Sequence, residues 1–291
     1  MIAQSYENWE LILVDDGSSD GGRAVARRYV TADSTRVRLL HHPHDENRGK
    51  IASRNLALAT ARGEYVAFLD SDDVWMPEKL STEVALMEAH PRAGMVQART
   101  LFWYGWTGAP HDIERDVLPE LGVASGREYE PAELLVLMLR AERYHPANCS
   151  VLVRRHLGVK LGWFEPLEPE MYEDTILLAK LYLRAPVLVS DHCAAKYRMH
   201  DASCCHQAEA TGVYHPSEPN PARSAYLRWL EAYLRRERTV DARLADVLHR
   251  ELWPYRHPRV HRVLAIARAA ARRARERVRG SASQSPTIGR P

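Results

Sequence analysis

The chain has 291 residues, 45% of them hydrophobic and 27% charged, which suits one large or two small globular domains. A formal net charge of +2 asks for no polyanion, so nucleic acid is not an expected partner. No apolar run approaches the roughly 20 residues that a bilayer span needs, and the polar opening Met1-Ile2-Ala3-Gln4-Ser5 does not read as a secretory signal.

Taken in chain order, Glu10 to Val14 reads as a buried strand and Asp15 to Gly22 as a turn. Arg23 to Val30 is predicted helical, and Val37 to Leu40 is a second strand. A polar loop from His41 to Gly49 leads into a helix whose apolar side carries Ile51, Leu56 and Leu58. Tyr65 to Leu69 is the third strand. Pro77 suits the first turn of the next helix, with Leu80, Val84 and Met87 on its inner side. Gly94 to Ala98 is a fourth strand. Strands alternating with helices at this spacing indicate βαβ units and a mostly parallel sheet. Leu101 to Arg127 is rich in aromatics, Gly and Pro, as a loop or hairpin over a cleft would be. Pro131 to Arg140 is a helix and Asn148 to Val153 a strand. Tyr172-Glu173-Asp174 opens an amphipathic helix from Thr175 to Arg184. Val187 to Val189 and Ala194 to Met199 are two late strands. Helix is predicted from about Pro221 to Arg279, and the low-complexity tail Ser281 to Pro291 is expected to be disordered.

The acidic cluster Asp70-Ser71-Asp72-Asp73 follows the third strand. In open α/β sheets ligands bind outside the carboxyl ends of the strands. Carboxylates crowded there repel unless a cation or proton lies between them. On a regular strand Asp70 and Asp72 would share a face. A hard divalent cation held by one or two carboxylates keeps waters and takes substrate phosphates as further ligands. The alternative is an acidic turn in which Asp72 or Asp73 caps the following helix. The cysteines Cys149, Cys193, Cys204 and Cys205 lack the spacing of a zinc finger or a disulfide frame. Cys204-Cys205-His206, with His192 and His200 nearby, has metal-ligand residue types. Reduced thiols in a cytosolic protein are the plainer account.

Several motifs follow one another in the order seen in family 2 glycosyltransferases. They are Tyr6 to Asp20, Asn47-Arg48-Gly49-Lys50 with Ala52 to Asn55, Gly63 to Asp73, Trp75 to Leu80, Tyr172-Glu173-Asp174 and Tyr197 to His200. The chain resembles that family over roughly residues 3 to 203. The resemblance implies a GT-A fold, with a nucleotide-sugar half (1–100), an acceptor half (101–203), a helical C-terminal extension (204–280) and a tail (281–291). It implies an inverting, metal-dependent transfer of a sugar from a nucleotide-diphosphate sugar, of UDP or dTDP type, to a hydroxyl acceptor such as a polysaccharide or lipid-linked glycan in bacterial cell-surface synthesis. Asp16 resembles the carboxylate that reads the nucleotide base, an acceptor-only group suited to a ring N–H, with Asp15 beside it. An Asx-turn role is the alternative for Asp16. Arg54 resembles the family's diphosphate- or base-contacting arginine, Lys50 is a second candidate with a solvated loop cation as its alternative, and Asn55 caps or braces the loop. Asp70, Ser71 and Asp72 resemble the DXD motif, in which Asp70 and Asp72, with His200, would hold Mg²⁺ or Mn²⁺. Asp174 resembles the catalytic base, with Glu173 as the adjacent candidate and a helix-N-terminal acid as the structural alternative. Trp103, Tyr104 and Trp106 suit either a sugar-stacking wall or ordinary packing.

Two further expectations concern the ends. A domain of this kind normally opens with a strand and helix before Glu10, and Met1 falls where that helix would end. The first strand is therefore expected to be missing, by fragmentation, a misassigned start or natural shortening. A nucleotide-sugar-binding remnant without activity is then the alternative function. From Arg259 onward the chain is arginine-rich with one acid, Glu276. A basic amphipathic helix from Arg259 to Arg279 could lie on an anionic membrane surface or pack on its own domain. The expected location is cytoplasmic, with peripheral attachment to the inner face of the membrane as the variant of that reading.

Overall fold

The computed structural model describes residues 1–140, 146–215, 218–264 and 266–267. Alternating strands and helices open it: β1 (Leu11–Asp15), α1 (Gly22–Ala32), β2 (Val37–His41), α2 (Gly49–Thr60), β3 (Tyr65–Ala67), β4 (Val74–Trp75) and α3 (Lys79–Ala89). There follow β5 (Met95–Trp103), α4 (Pro110–Ile113), β6 (Arg127–Tyr129), α5 (Glu133–Arg140), β7 (Val151–Arg154), α6 (Arg155–Leu161), α7 (Glu173–Tyr182) and β8 (Val187–Arg198). The described chain closes with α8 (Cys204–Ala210), α9 (Pro221–Arg236) and α10 (Ala242–Arg256).

The sheet is mixed, not mostly parallel. β1 and β2 form a parallel pair of their own, while β3-β7-β5-β8-β4 form a second sheet with β6 also on β8. Two pairings are parallel, β1–β2 and β5–β8. Four are antiparallel: β3–β7, β4–β8, β5–β7 and β6–β8. The βαβ spacing that suggested a parallel sheet occurs only in the first part of the chain. Beyond β5 the connections bring β7 back reversed between β3 and β5. The two late strands are one, a 12-residue β8 that pairs with β5 along its length, with β6 at one end and with β4 at the other. Register shifts near Arg99 bend the β5–β8 ladder midway, as bulges do.

The main core joins α2, α5, α7, α9 and α10. Leu58, Leu135, Ile176, Leu227, Leu230, Leu248 and Leu252 meet in it. Each fully buried Leu or Ile contributes roughly 1.5–3 kcal/mol by removal from water. α7 is buried on nearly every side from Thr175 to Tyr182, so it is not the amphipathic surface helix its sequence suggested. Lys180 crosses that core and donates from Nζ to the carbonyls of Leu161 and Trp163, at 2.9 and 2.6 Å, and to Glu165 Oε1 at 3.0 Å. Those three bonds satisfy a buried ammonium that would otherwise be costly and tie α7 to the end of α6. A second core around Trp75, Val84, Met87, Val96 and Leu152 lies under α3. Met1, Tyr6 and Trp9 pack against it, and Gln4 donates to the Met76 carbonyl at 2.7 Å while accepting from the Leu80 N–H at 3.0 Å.

Among the described residues no helix is long and apolar enough to cross a membrane. Of the basic segment from Arg259, the description reaches residue 267, where Val260, Val263 and Ile266 are exposed. The remainder of that segment and the tail from Ser281 lie outside the described residues.

Candidate active site

β3 ends at Ala67, so Asp70 to Asp73 stand on a turn and not on the strand. The turn is closed by the Asp73 N–H donating to the Asp70 carbonyl at 3.1 Å. Without strand geometry, Asp70 and Asp72 turn to different partners. Arg54 Nη2 donates to Asp70 Oδ1 at 2.6 Å, and His200 Nε2 lies 3.1 Å from Asp72 Oδ2. Ser71 is exposed at the tip. Asp73 is buried beneath it and accepts the Arg198 N–H at 3.0 Å. Burial pushes the Asp73 carboxyl up to about 6, against the hydrogen bonds from Arg198 and Cys149 and with the help of the Asp72 and Asp70 charges. No side chain caps α3, whose N-cap is Glu78, so the helix-capping alternative for Asp72 and Asp73 does not hold. The turn is instead locked to the end of β8, where Arg198 Nε also donates to the Asp72 carbonyl at 2.7 Å.

α2 brings cations to this turn and α7 brings a second acidic pair. Arg54 Nη1 donates to Glu173 Oε1 at 3.1 Å, and Lys50 Nζ lies 2.8 Å from the same oxygen. Arg54 therefore joins Asp70 and Glu173, two carboxylates far apart in sequence. Burial lowers the Arg54 and Lys50 pKa values, but the carboxylates outweigh it: Asp70 and then Glu173 for Arg54, Glu173 for Lys50, for a net rise in both. Asp174 is next in sequence but points elsewhere. Its Oδ1 accepts from the Thr175 N–H at 2.6 Å and the Thr175 hydroxyl at 3.2 Å. The chain reaches this position through Tyr172, whose φ of 66° is left-handed. The Tyr172 ring stacks on Tyr226 of α9, with centroids 5.3 Å apart and planes 10° from parallel. That stack and α9 hold a backbone conformation that an L-residue adopts only at a cost.

Asp15 ends β1 and Asp16 follows it. Asp15 is buried and accepts from Arg23 Nε at 2.6 Å. The Ser18 hydroxyl, and after it Arg23, hold the Asp15 carboxyl below the usual carboxylate range against the opposing effect of burial. Asp16 accepts the Arg48 and Gly49 N–H groups at 2.7 and 2.9 Å, so it fastens the start of α2 to the tip of β1. Gly49, with φ of 81°, makes the turn into α2. Asn55 braces the loop after α6, donating to the Phe164 carbonyl at 3.0 Å and accepting from its N–H at 3.3 Å. The ring of Phe164 lies under Arg54 at 5.2 Å.

Among the described residues no three His, Cys, Asp or Glu side chains form a ready cluster for a metal ion. Cys204, Cys205 and His206 do not make one, nor do Asp70, Asp72 and His200, of which His200 and Asp72 meet while Asp70 turns to Arg54. The donor set still fits a hard cation that arrives with its ligand. Asp70 and Asp72 are two half-exposed carboxylates on one turn, where phosphate oxygens and waters would complete the coordination. Trp103 and Trp106 stand beside this turn, and the Arg198 guanidinium lies over both rings at 5.3 and 5.0 Å. Trp106 Nε1 also donates to the Met199 carbonyl at 2.9 Å. Tyr104 is turned toward Arg115, 4.1 Å from its ring. Sequence reasoning gave no role to Arg198, Phe164 or Tyr226. Arg198 stood within the Tyr197-to-His200 motif, whereas the other two carried no local signal.

The turn after β3, α2 and the start of α7 thus bring carboxylates, a lysine and a guanidinium together. Residues 1–175 match the family described as Glycosyl transferase family 2, and the chain belongs to that family. EpsE of Bacillus subtilis (strain 168) is 41% identical over 158 residues, 53% of this chain and 54% of EpsE. WfgD of Escherichia coli, named UDP-Glc:alpha-D-GlcNAc-diphosphoundecaprenol beta-1,3-glucosyltransferase, is 38% identical over 87 residues, 30% of this chain and 32% of WfgD. The match thus spans about half of EpsE and a third of WfgD. Among solved structures, the mannosyltransferase PcManGT from Pyrobaculum calidifontis in complex with GDP-Man and Mn²⁺ has a TM-score of 0.58 at 20% identity, over 97% of this chain and 73% of that one. S. aureus TarS 1-349 in complex with UDP has a TM-score of 0.53 at 19% identity, over 80% and 65%. These two likenesses place the fold with GT-A glycosyltransferases.

Proposed function

We propose that the chain is a metal-dependent inverting glycosyltransferase that moves a sugar from a nucleotide-diphosphate sugar to a hydroxyl acceptor in the making of a bacterial surface polysaccharide. The observation that carries the reading is Arg54, which ties the acidic turn after β3 to the acidic start of α7. In this reading the donor lies on residues 1–100 and the acceptor on 101–203. Arg54 and Lys50 exchange their carboxylate partners for diphosphate oxygens as the donor binds. Asp70 and Asp72, with His200, would hold a Mg²⁺ or Mn²⁺ ion, and Ser71 would lie at the donor's edge. Asp16, with Asp15 behind it, meets the base of a uracil- or thymine-type nucleotide. When bound, the cation supplies Lewis-acid stabilisation of the departing nucleotide diphosphate.

Asp174 takes the proton from the acceptor hydroxyl as its oxygen attacks the anomeric carbon. Glu173 suits this less well, because two cations already engage one of its oxygens. The lipid-linked acceptor named for WfgD and the aromatic pair Trp103 and Trp106 support a glycan acceptor on that side.

The test is thermal shift with UDP, dTDP and GDP, each with and without Mn²⁺. Mn²⁺-dependent stabilisation by UDP or dTDP is expected, because a ligand that binds only the folded state raises its melting temperature. In Asp72→Ala the Mn²⁺-dependent part should vanish; an unchanged shift would remove Asp72 from the metal site. Nucleotide binding without transfer from any donor in a panel of nucleotide sugars would favour the inactive binding remnant. Pelleting with anionic vesicles tests membrane attachment. Salt-sensitive binding that is lost on deleting residues 259–291 supports it, and the absence of such binding retires it.

A further inference from the structure

One arginine holds the acidic turn from outside. β4 pairs with β8 in antiparallel register, Val74 with Lys196 and Trp75 with Ala195. Continued by two residues, that register sets Asp72 opposite Arg198. The pairing itself ends at Val74, and beyond it the bonds run through side chains. The Arg198 N–H donates to Asp73 Oδ1 at 3.0 Å, and Arg198 Nε donates to the Asp72 carbonyl at 2.7 Å. The side chains of Asp70 and Asp72 are 40% and 45% exposed, so packing does little to fix where Asp72 points.

Two tryptophans hold Arg198 in turn. Its guanidinium lies over the rings of Trp103 and Trp106, 5.3 and 5.0 Å from their centroids. Trp103 pairs with Arg198 across β5 and β8, and its carbonyl accepts the Met199 N–H at 3.1 Å. Trp106 Nε1 donates to the Met199 carbonyl at 2.9 Å. Met199 is thus bonded at both its N–H and its carbonyl. His200 follows directly, with Nε2 3.1 Å from Asp72 Oδ2. Groups that orient a metal's ligands from outside typically change metal affinity by about 10–100-fold when removed, although they do not touch the ion.

We infer that Arg198 is a positioning residue for the cation site, and that Trp106 acts through it. Arg198 holds the main chain of Asp72 and the side chain of Asp73 at once, which keeps Asp72 Oδ2 turned toward His200. Lysine is no substitute. It has one terminal ammonium, no donor at the Nε position and no planar face to lay on the rings. Trp106 steadies the arginine with its ring and the Met199 peptide with its indole N–H. This role rests on the metal site proposed above.

The experiment compares the full chain with Arg198→Lys, Trp106→Ala and Trp106→Phe. UDP is held in excess and Mn²⁺ is titrated by thermal shift. Arg198→Lys should need on the order of 10-fold more Mn²⁺ to reach half of the shift, and Trp106→Ala several-fold more. Trp106→Phe keeps a ring under the guanidinium and should stay near the parent; a requirement as high as that of Trp106→Ala overturns the part given to the ring. Should Arg198→Lys fail to fold, Trp106→Ala carries the same test. A lowered melting temperature with an unchanged Mn²⁺ requirement marks a purely structural residue and overturns the inference. Hydrogen exchange over residues 70–76, read without metal or nucleotide, should be faster in Arg198→Lys and Trp106→Ala. Unchanged exchange in both overturns the hold on the turn. A parent with no Mn²⁺-dependent shift takes away the proposed metal site and this role with it, whereas a parent shift left unaltered in both variants overturns this role alone.

Discussion

Glu173 and Asp174 are neighbours in sequence with separate tasks. Glu173 shares one oxygen between Lys50 and Arg54, whereas Asp174 accepts hydrogen bonds from Thr175. Asp174→Asn should keep the UDP–Mn²⁺ thermal shift and lose transfer by roughly 10²–10⁴-fold, the usual cost of removing a general base. Retained turnover would take the role from Asp174. Glu173→Gln should behave differently. It leaves Lys50 without its carboxylate partner and Arg54 with Asp70 alone, and costs about 1–3 kcal/mol, a fall in melting temperature of several degrees that calorimetry would read. Asp15 belongs to the same scale. Its carboxyl is held below the usual range by Ser18 and Arg23, so the stabilisation it contributes is fully present above the ordinary carboxylate pKa near 3.8. It is lost as pH falls through the lowered folded value. The acid limb of a stability–pH curve should therefore be shallower in Asp15→Asn than in the parent, with the difference confined to below about pH 4.

At the level of elements, α9 supports the start of α7. Tyr226 is buried on α9 and stacks on Tyr172, yet among the described residues its hydroxyl has no hydrogen-bond partner. Tyr226→Phe should leave the stack intact, remove an unsatisfied buried group and raise stability by about 1 kcal/mol. Tyr226→Ala should lose about 3–5 kcal/mol by opening a cavity, and should also weaken the constraint on Tyr172. The two melting temperatures, one above and one below the parent, check this. Gly158 of α6 lies against Trp163, where an added Cβ would come within 2.3 Å of ring atoms. Gly158→Ala should cost about 1–3 kcal/mol through overpacking. The elements themselves were largely legible, because α2 and α3 carry apolar residues at helical spacing and β1 and β5 are apolar runs of strand length. β4, at two residues, was too short to leave a pattern. α7 misled because its few polar groups suggest an outer face, whereas Lys180 turns inward to the carbonyls of Leu161 and Trp163.

Over the whole molecule, the C-terminal helices belong to the main core. Leu227 and Leu230 of α9 and Leu244, Leu248 and Leu252 of α10 are buried in the same cluster as α5 and α7. A chain cut after residue 218 should lose its single cooperative transition, and a chain cut after 257 should keep it; thermal unfolding by circular dichroism distinguishes the two. The sequence alone determined the order of the motifs, the helix-and-strand alternation up to β5 and the residue types at the cleft. Those depend on local periodicity and on side-chain chemistry that needs no partner. Tertiary structure alone decided three things. The return of β7 between β3 and β5 made the sheet mixed, and strand direction depends on connections that periodicity does not encode. The end of β3 at Ala67 sent Asp70 to Arg54 and Asp72 toward His200, where strand alternation had put them on one face. The packing of α2 against the start of α7 gave Glu173 to Lys50 and Arg54 and left Asp174 to its local bonds, a division that two adjacent acids in a sequence cannot reveal.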